Sequence, residues 1–194
     1  MREAFAAGQL DFGENYVQEA LAKIAELADV RDQLRWHLIG PLQSNKAREV
    51  AANFDWVHAV DRMKLAQRLS DLRPPGMAPL QVCLQVNISG EDSKSGVAPE
   101  AALALAREVA ALPGLKLRGL MAIPEPAGDL AAQRVPHRAL RKLFEAMNAE
   151  GLGLDTLSIG MSADLEAAIA EGATCVRVGT AIFGARPAKS VPTS

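Results

Sequence analysis

The stretch LSIGMSADLEAAIAEGATCVRVGTAIFGAR, residues 157–186, sets two short β-rich runs around one short helical segment and leaves a Gly, Ser or Thr where each run ends. Its two strand-like pieces, TLSIG (156–160) and CVRVG (175–179), are nearly continuous in apolar residues, as parallel strands covered on both faces are. Strand, turn, helix and strand in that order make a βα unit. The rest of the chain repeats it.

Further strand-like runs are DFG (11–13), WHLIG (36–40), WVHAV (56–60), LQVCLQVNI (80–88) and LRGLMAI (117–123). Between them, apolar residues recur at helical spacing: Val17, Leu21 and Ile24; Leu65, Leu69 and Leu72; Leu105, Val109 and Leu112; Leu140, Leu143, Phe144 and Met147. Such alternation predicts a parallel sheet, and its short period suits a (β/α)8 barrel of TIM type better than an open sheet. Only seven strands are counted, one fewer than the closed barrel needs. The opening MREAFAAGQ reads as the second half of a helix stopped at Gly8, so the barrel is expected to lack its first strand. Residues 1–186 are expected to form one domain, and 187–194, rich in Pro and Ser, a flexible tail.

Lys and Arg number 21 against 23 Asp and Glu, and no basic run is interleaved with aromatics. This is not the charge pattern of a nucleic-acid or membrane-surface binder, and a small molecule is the expected partner. Cys83 and Cys175 lie in apolar strand-like runs without metal-ligand spacing, so both read as reduced, buried fillers. No apolar stretch approaches the roughly 20 residues of a membrane helix. The chain shows no signal-peptide pattern, and a cytoplasmic location, as monomer or weak homodimer, is expected.

In a barrel of this class, function sits on the loops that follow the strands, and phosphate is often held after the seventh and eighth. With one strand missing in front, those loops begin at Gly160 and Gly179. These glycines let backbone approach an oxygen, and Ser162 and Thr180 add hydroxyls beside helix N-termini, where anions are favoured. An equally open alternative makes Ser162 the N-cap of the next helix, with Asp164 and Glu166 in its first turn. Arg177 is a charge inside an apolar strand: it either points inward to a ligand or carboxylate, or lies outward along a helix. Asn15 with Gln18 three residues on has the spacing of a capping box. His37 and His58 read as satisfied core histidines, NISGEDSKSG (87–96) with Lys94 as a solvated loop, and Asn45 and Lys46 as the start of a helix. No GxSxG, HExxH or GxxxxGK[ST] motif occurs, and no metal site is expected.

Taken as a set, DFGENYVQEAL, WHLIGPLQSNK, VNISGEDSKSG, RGLMAIP and the opening stretch resemble the successive signature turns of the pyridoxal phosphate homeostasis protein family, from Arg2 to Arg186. The resemblance implies a single-domain barrel like the N-terminal domain of alanine racemase, which binds pyridoxal 5'-phosphate and buffers or delivers it without established turnover. It places the cofactor phosphate against Ser162 and around Gly160, Gly179 and Thr180, the pyridine nitrogen opposite Arg177, and Asn15 and Met121 near the ring. The family's Schiff-base lysine lies on the first barrel strand, which this chain lacks, so no catalytic residue is assigned. Met1 is accordingly expected to be an internal start within a longer biological chain. Alternative readings are an amino-acid racemase or a barrel enzyme acting on a small phosphorylated substrate.

Overall fold

The computed structural model describes residues 1–90 and 95–184. Strands β1 (Asp11–Glu14), β2 (Arg35–Leu38), β3 (Trp56–Val60), β4 (Leu80–Gln85), β5 (Leu115–Met121), β6 (Thr156–Met161) and β7 (Cys175–Arg177) lie side by side in chain order. Every neighbouring pair is parallel. Helices α1 (Arg2–Ala6), α2 (Val17–Glu26), α3 (Ala47–Asn53), α4 (Met63–Leu72), α5 (Pro99–Ala110), α6 (Leu130–Ala149), α7 (Leu165–Ala170) and α8 (Thr180–Phe183) fill the remaining positions of the repeat. The seven expected strands are all present, and α1 stops, as expected, ahead of Gly8 at φ +95°.

In a flat sheet, strands three places apart stand about 14 Å from each other. Here His58 on β3 and Ser158 on β6 are 2.8 Å apart, so the sheet curls on itself. The result is a nearly closed barrel of TIM type. Alternation along each strand sorts the side chains. Trp36, Leu38, Val57, Val82, Leu84, Leu120, Leu157 and Ile159 face outward into the helical layer and belong to the main core. A second, smaller cluster of Ala59, Cys83 and Met121, with Trp56 packed on it, lies on the inner face.

The N-terminal mouth of the barrel is closed by polar stacking. Arg118 lies 4.8 Å from the centre of the Trp56 ring, donates to Gln81 Oε1 at 2.8 Å and holds Asp155 at 2.7 Å. Any ligand site is thereby directed to the opposite mouth, where the C-terminal ends of the strands lie.

Several boundaries differ from the sequence reading. β2 ends at Leu38, β4 at Gln85 and β7 at Arg177, each earlier than its apolar run. After β4 the chain makes a single bridge, Val86 to Val97, and leaves the sheet. Asn45 and Lys46 lie in a short 3₁₀ turn, Ser44–Lys46, that precedes α3. Cys83 is buried as expected, whereas Cys175 is only partly so, because β7 has a neighbour on one side alone among the described strands. Lys94 and the tail 187–194 lie outside the described residues.

Glycine is obligatory where β5 crosses close to β6. A Cβ built on Gly119 would stand 1.6 Å from the Thr156 carbonyl oxygen, which is backbone and cannot rotate away. Gly119→Ala is therefore expected to cost about 3 kcal/mol or more, whereas Gly128→Ala, whose Cβ meets nothing within 4 Å, should stay within about 0.5 kcal/mol. Urea unfolding of the two variants checks this, and equal midpoints would contradict the register.

Candidate functional site

Arg177 ends β7 with its side chain turned into the barrel, which corrects the alternative that it lies on the outer face. Its Nη1 donates to Ser158 Oγ at 2.7 Å and to the Ser158 carbonyl at 2.8 Å, and its Nη2 donates to the Ala122 carbonyl at 3.0 Å. Inward placement follows from the register: Ser158 pairs with Cys175 and Met161 with Arg177, so alternate residues of the short strand share the face of Ser158. Burial lowers the Arg177 pKa from its ordinary value, partly opposed by nearby Asp164. No carboxylate touches the guanidinium, and Nε has no hydrogen-bond partner among the described residues.

Ser162 lies in the turn after β6. It is not the N-cap of α7; that position belongs to Asp164, whose side chain instead turns back to accept from Met161 N–H at 2.7 Å. The other Asp164 oxygen meets His137 Nε2 at 2.9 Å, from a fully buried ring on α6. Asp164 is thus spent on holding the turn, and Ser162 keeps its hydroxyl at the rim, where among the described residues it accepts a long contact from Ala181 N–H at 3.5 Å. That contact joins the β6 turn to the start of α8. Gly160 has φ +92°, and a Cβ there would meet Ala168 Cβ at 2.5 Å, so this glycine lets α7 pack on β6 as well as shaping the turn.

Gly179 precedes α8 with φ −120° and ψ −76°, and a Cβ built on it would meet nothing within 4 Å. Thr180, exposed, opens the helix. Met121 ends β5, fully buried on the inner face and next in sequence to the Ala122 that Arg177 binds. Asn15 follows β1 and is not the cap of α2, a position held by Tyr16 without a side-chain cap. Its backbone instead lies so near Gly40 that a Cβ there would come within 2.3 Å of the Asn15 carbonyl oxygen. The structure therefore brings Gly160, Ser162, Arg177, Gly179, Thr180 and Met121 to the adjoining ends of β5, β6 and β7. Asn15 stands at the same mouth on β1, with no hydrogen bond to the other six.

Beneath the mouth, His37 and His58 are buried and hydrogen-bonded, as expected of core histidines, whereas the chain of bonds that joins them to Ser158 and Asp11 was not foreseen from the sequence. His58 Nδ1 meets Ser158 Oγ at 2.8 Å, His58 Nε2 meets His37 Nδ1 at 2.9 Å, and His37 Nε2 meets Asp11 Oδ1 at 3.0 Å. Burial, with the charges of His37 and Arg177 adding, pushes His58 down to about 3, so it is neutral at pH 7. The Arg35 guanidinium, and then His37, hold Asp11 well below the usual carboxylate range. In the sequence, the available signal was a histidine at an inward position of two successive strands.

Two comparisons with known proteins decide the family. The model for the alanine racemase N-terminal domain matches residues 1–187. The pyridoxal phosphate homeostasis protein of Pseudomonas aeruginosa is 65% identical over 186 residues, covering 96% of this chain and 79% of that one. The chain belongs to the pyridoxal phosphate homeostasis protein family. Among solved members of the fold, PipY of Synechococcus elongatus has been determined without PLP and with PLP bound. The two match at 43% and 42% identity with TM-scores of 0.87 and 0.84, each covering 94% of this chain and 86% and 85% of PipY.

In this family member, the turn carrying Ser162 is braced from outside the barrel. Glu171, which closes α7, is 2% exposed and receives Arg134 at 2.7 Å, Arg138 at 2.8 Å and Arg141 at 3.4 Å, all from α6. Hydrogen bonds from Arg138 and then Arg134 draw its pKa from 4.5 down to about 2. A shallow cleft of about 530 Å³ lies between these two helices; Ser162 and Gln133 reach it, but Leu130, Leu165, Ile169 and the carboxylate of Glu166 make it a poor match for an anion. Because the folded state favours ionised Glu171, its contribution is complete above about pH 4.5 and is lost as the pH falls toward 2. Glu171→Gln is expected to lower stability at pH 7 and to flatten the loss between pH 4.5 and 2. Denaturation across that range checks it, and a parent-like slope in the variant would contradict the clamp.

Proposed function

We propose that this chain binds pyridoxal 5'-phosphate at the C-terminal mouth of the barrel and serves vitamin B6 homeostasis as a carrier or buffer without turnover. The observation that carries the reading is Arg177, a partly buried guanidinium on the inner face whose Nε is unused among the described residues, next to a turn whose hydroxyls are not consumed by helix capping. These residues fit the cofactor. Ser162, Thr180 and the backbone around Gly160 and Gly179 would hold the phosphate, Arg177 would face the ring nitrogen, and Asn15 and Met121 would flank the ring. When bound, the cofactor supplies an aldehyde reactive toward amines and a ring able to accept electrons.

Arg177 holds its protons throughout the physiological range, so it donates a hydrogen bond to the ring nitrogen and gives that nitrogen no proton. An unprotonated ring accepts electrons less readily, which favours holding the cofactor over transforming an amino acid on it. The family name of the P. aeruginosa relative and the PLP-bound form of PipY support the same ligand. Lysine attachment is assigned to no residue here: Lys23 is paired with Glu14 and Lys46 with Glu49. Among the described residues no helix is long and apolar enough to cross a membrane and no cluster of metal-ligating side chains occurs. A monomer or weak homodimer in the cytoplasm, without nucleic-acid partners, completes the reading.

Titration of the purified chain with pyridoxal phosphate, followed by absorbance, tests the proposal. Binding is expected, with inorganic phosphate competing. Ser162→Ala and Thr180→Ala should each weaken it about tenfold or more, since a hydrogen bond to a charged oxygen contributes about 1.5–3 kcal/mol. Unchanged affinity in both variants, or no competition by phosphate, would overturn the site.

A further inference from the structure

The donors and acceptors inside the barrel follow from its two ends. Asp11 is a carboxylate that only accepts, so the proton between it and His37 sits on His37 Nε2, at 3.0 Å. With that proton on Nε2, His37 Nδ1 is the acceptor for His58 Nε2–H at 2.9 Å. Neutral His58, with its proton on Nε2, has a bare Nδ1 for the Ser158 hydroxyl at 2.8 Å. From the opposite end, Arg177 only donates, so Ser158 Oγ accepts from Nη1 at 2.7 Å and keeps its own proton to donate, to His58 Nδ1 or to the Cys175 sulfur that also hydrogen-bonds it. Both ends fit one direction, in which every bond from Arg177 to Asp11 is donated the same way, through Ser158, His58 and His37.

We propose that His58 is a positioning residue of the cofactor site: by accepting the Ser158 hydroxyl proton it turns the Ser158 lone pairs to Arg177 and fixes the guanidinium toward the ring nitrogen. The inference rests on the reading of the site given above and adds to it a residue that never touches the cofactor. Among the described residues no carboxylate is in contact with Arg177; the one whose charge reaches it is Asp164, while Asp11 at the far end of the relay is held by Arg35 at 2.6 Å. Buried polar chains are costly unless every member is satisfied, and here each link has its partner. The other titratable groups facing the relay are Cys83 on β4 and Cys175 on β7, whose thiols burial pushes up, and Asp164, whose charge reaches Arg177. Of these, Cys175 also hydrogen-bonds Ser158, and its sulfur is a weaker acceptor than the imidazole nitrogen of His58.

Nitrogen-15 NMR of the histidine rings, on the chain without added cofactor at pH 7, reads the direction of the relay. The expected result is a protonated Nε2 and bare Nδ1 on both His37 and His58; a proton on His58 Nδ1 would overturn the proposal. Pyridoxal phosphate binding to two variants then reads the consequence. His58→Leu should weaken binding about tenfold and shift the absorption maximum of the bound cofactor. His58→Asn, whose Oδ1 can accept from Ser158, should return affinity to within about threefold of the parent. Equal losses in the two variants, or none in either, would overturn it. Should His58→Leu fail to fold, Ser158→Ala must show the same tenfold loss, and unchanged binding there would be equally decisive against it. A parent chain that binds no pyridoxal phosphate would defeat the site reading itself, while the ring-nitrogen measurement still decides the direction of the relay.

Discussion

Arg177 points into the barrel from the last strand, and a guanidinium withdrawn from water must find acceptors or be expelled. Among the described residues no carboxylate meets it. Its acceptors are Ser158 Oγ, the Ser158 carbonyl and the Ala122 carbonyl, and much of the interior follows from that requirement. Ser158 must sit inward on β6, so the middle of the barrel is polar where bulky branched residues usually fill it. His58 and His37 then satisfy Ser158 in turn and pass the demand to Asp11, at the other end of the barrel. The apolar remainder is confined to a small cluster around Cys83 and Met121.

The same placement separates support from binding at the mouth. Asp164, His137 and the three arginines around Glu171 hold the turn after β6 from behind, using only groups that face away from the interior. What they leave at the rim is the Ser162 hydroxyl and the open backbone around Gly179, beside Arg177. A site built in this way has its positive charge fixed in the interior and its anion donors on a braced turn. Such an arrangement suits retention of a phosphorylated aromatic ring.

The architecture was legible because its signals are local. Near-continuous apolar runs and helical stripes marked seven βα repeats, and Gly8 marked the end of α1. Features that depend on facing were not legible. The run CVRVG is too short and too apolar for alternation to say which way Arg177 points, and the pairing of Ser158 with Cys175, with the bonds from Arg177 to Ser158, settles it. Local capping patterns misled at Ser162 and Asn15 for a related reason: spacing identifies a residue able to cap, while the helix start is set by packing, which moved it to Asp164 and Tyr16. The relay was beyond reach because His58 and Ser158 are 100 residues apart in sequence and meet only when the sheet curls.

In the proposed site the interior guanidinium and the two neighbouring turns form one grip for pyridoxal phosphate. A crystal structure of this chain with the cofactor is the decisive test. The phosphate is expected against the Ser162 hydroxyl and the Gly179–Thr180 backbone, with the ring nitrogen within hydrogen-bond reach of Arg177. Cofactor found instead in the outer cleft between α6 and α7, or with its ring nitrogen turned away from Arg177, would contradict it.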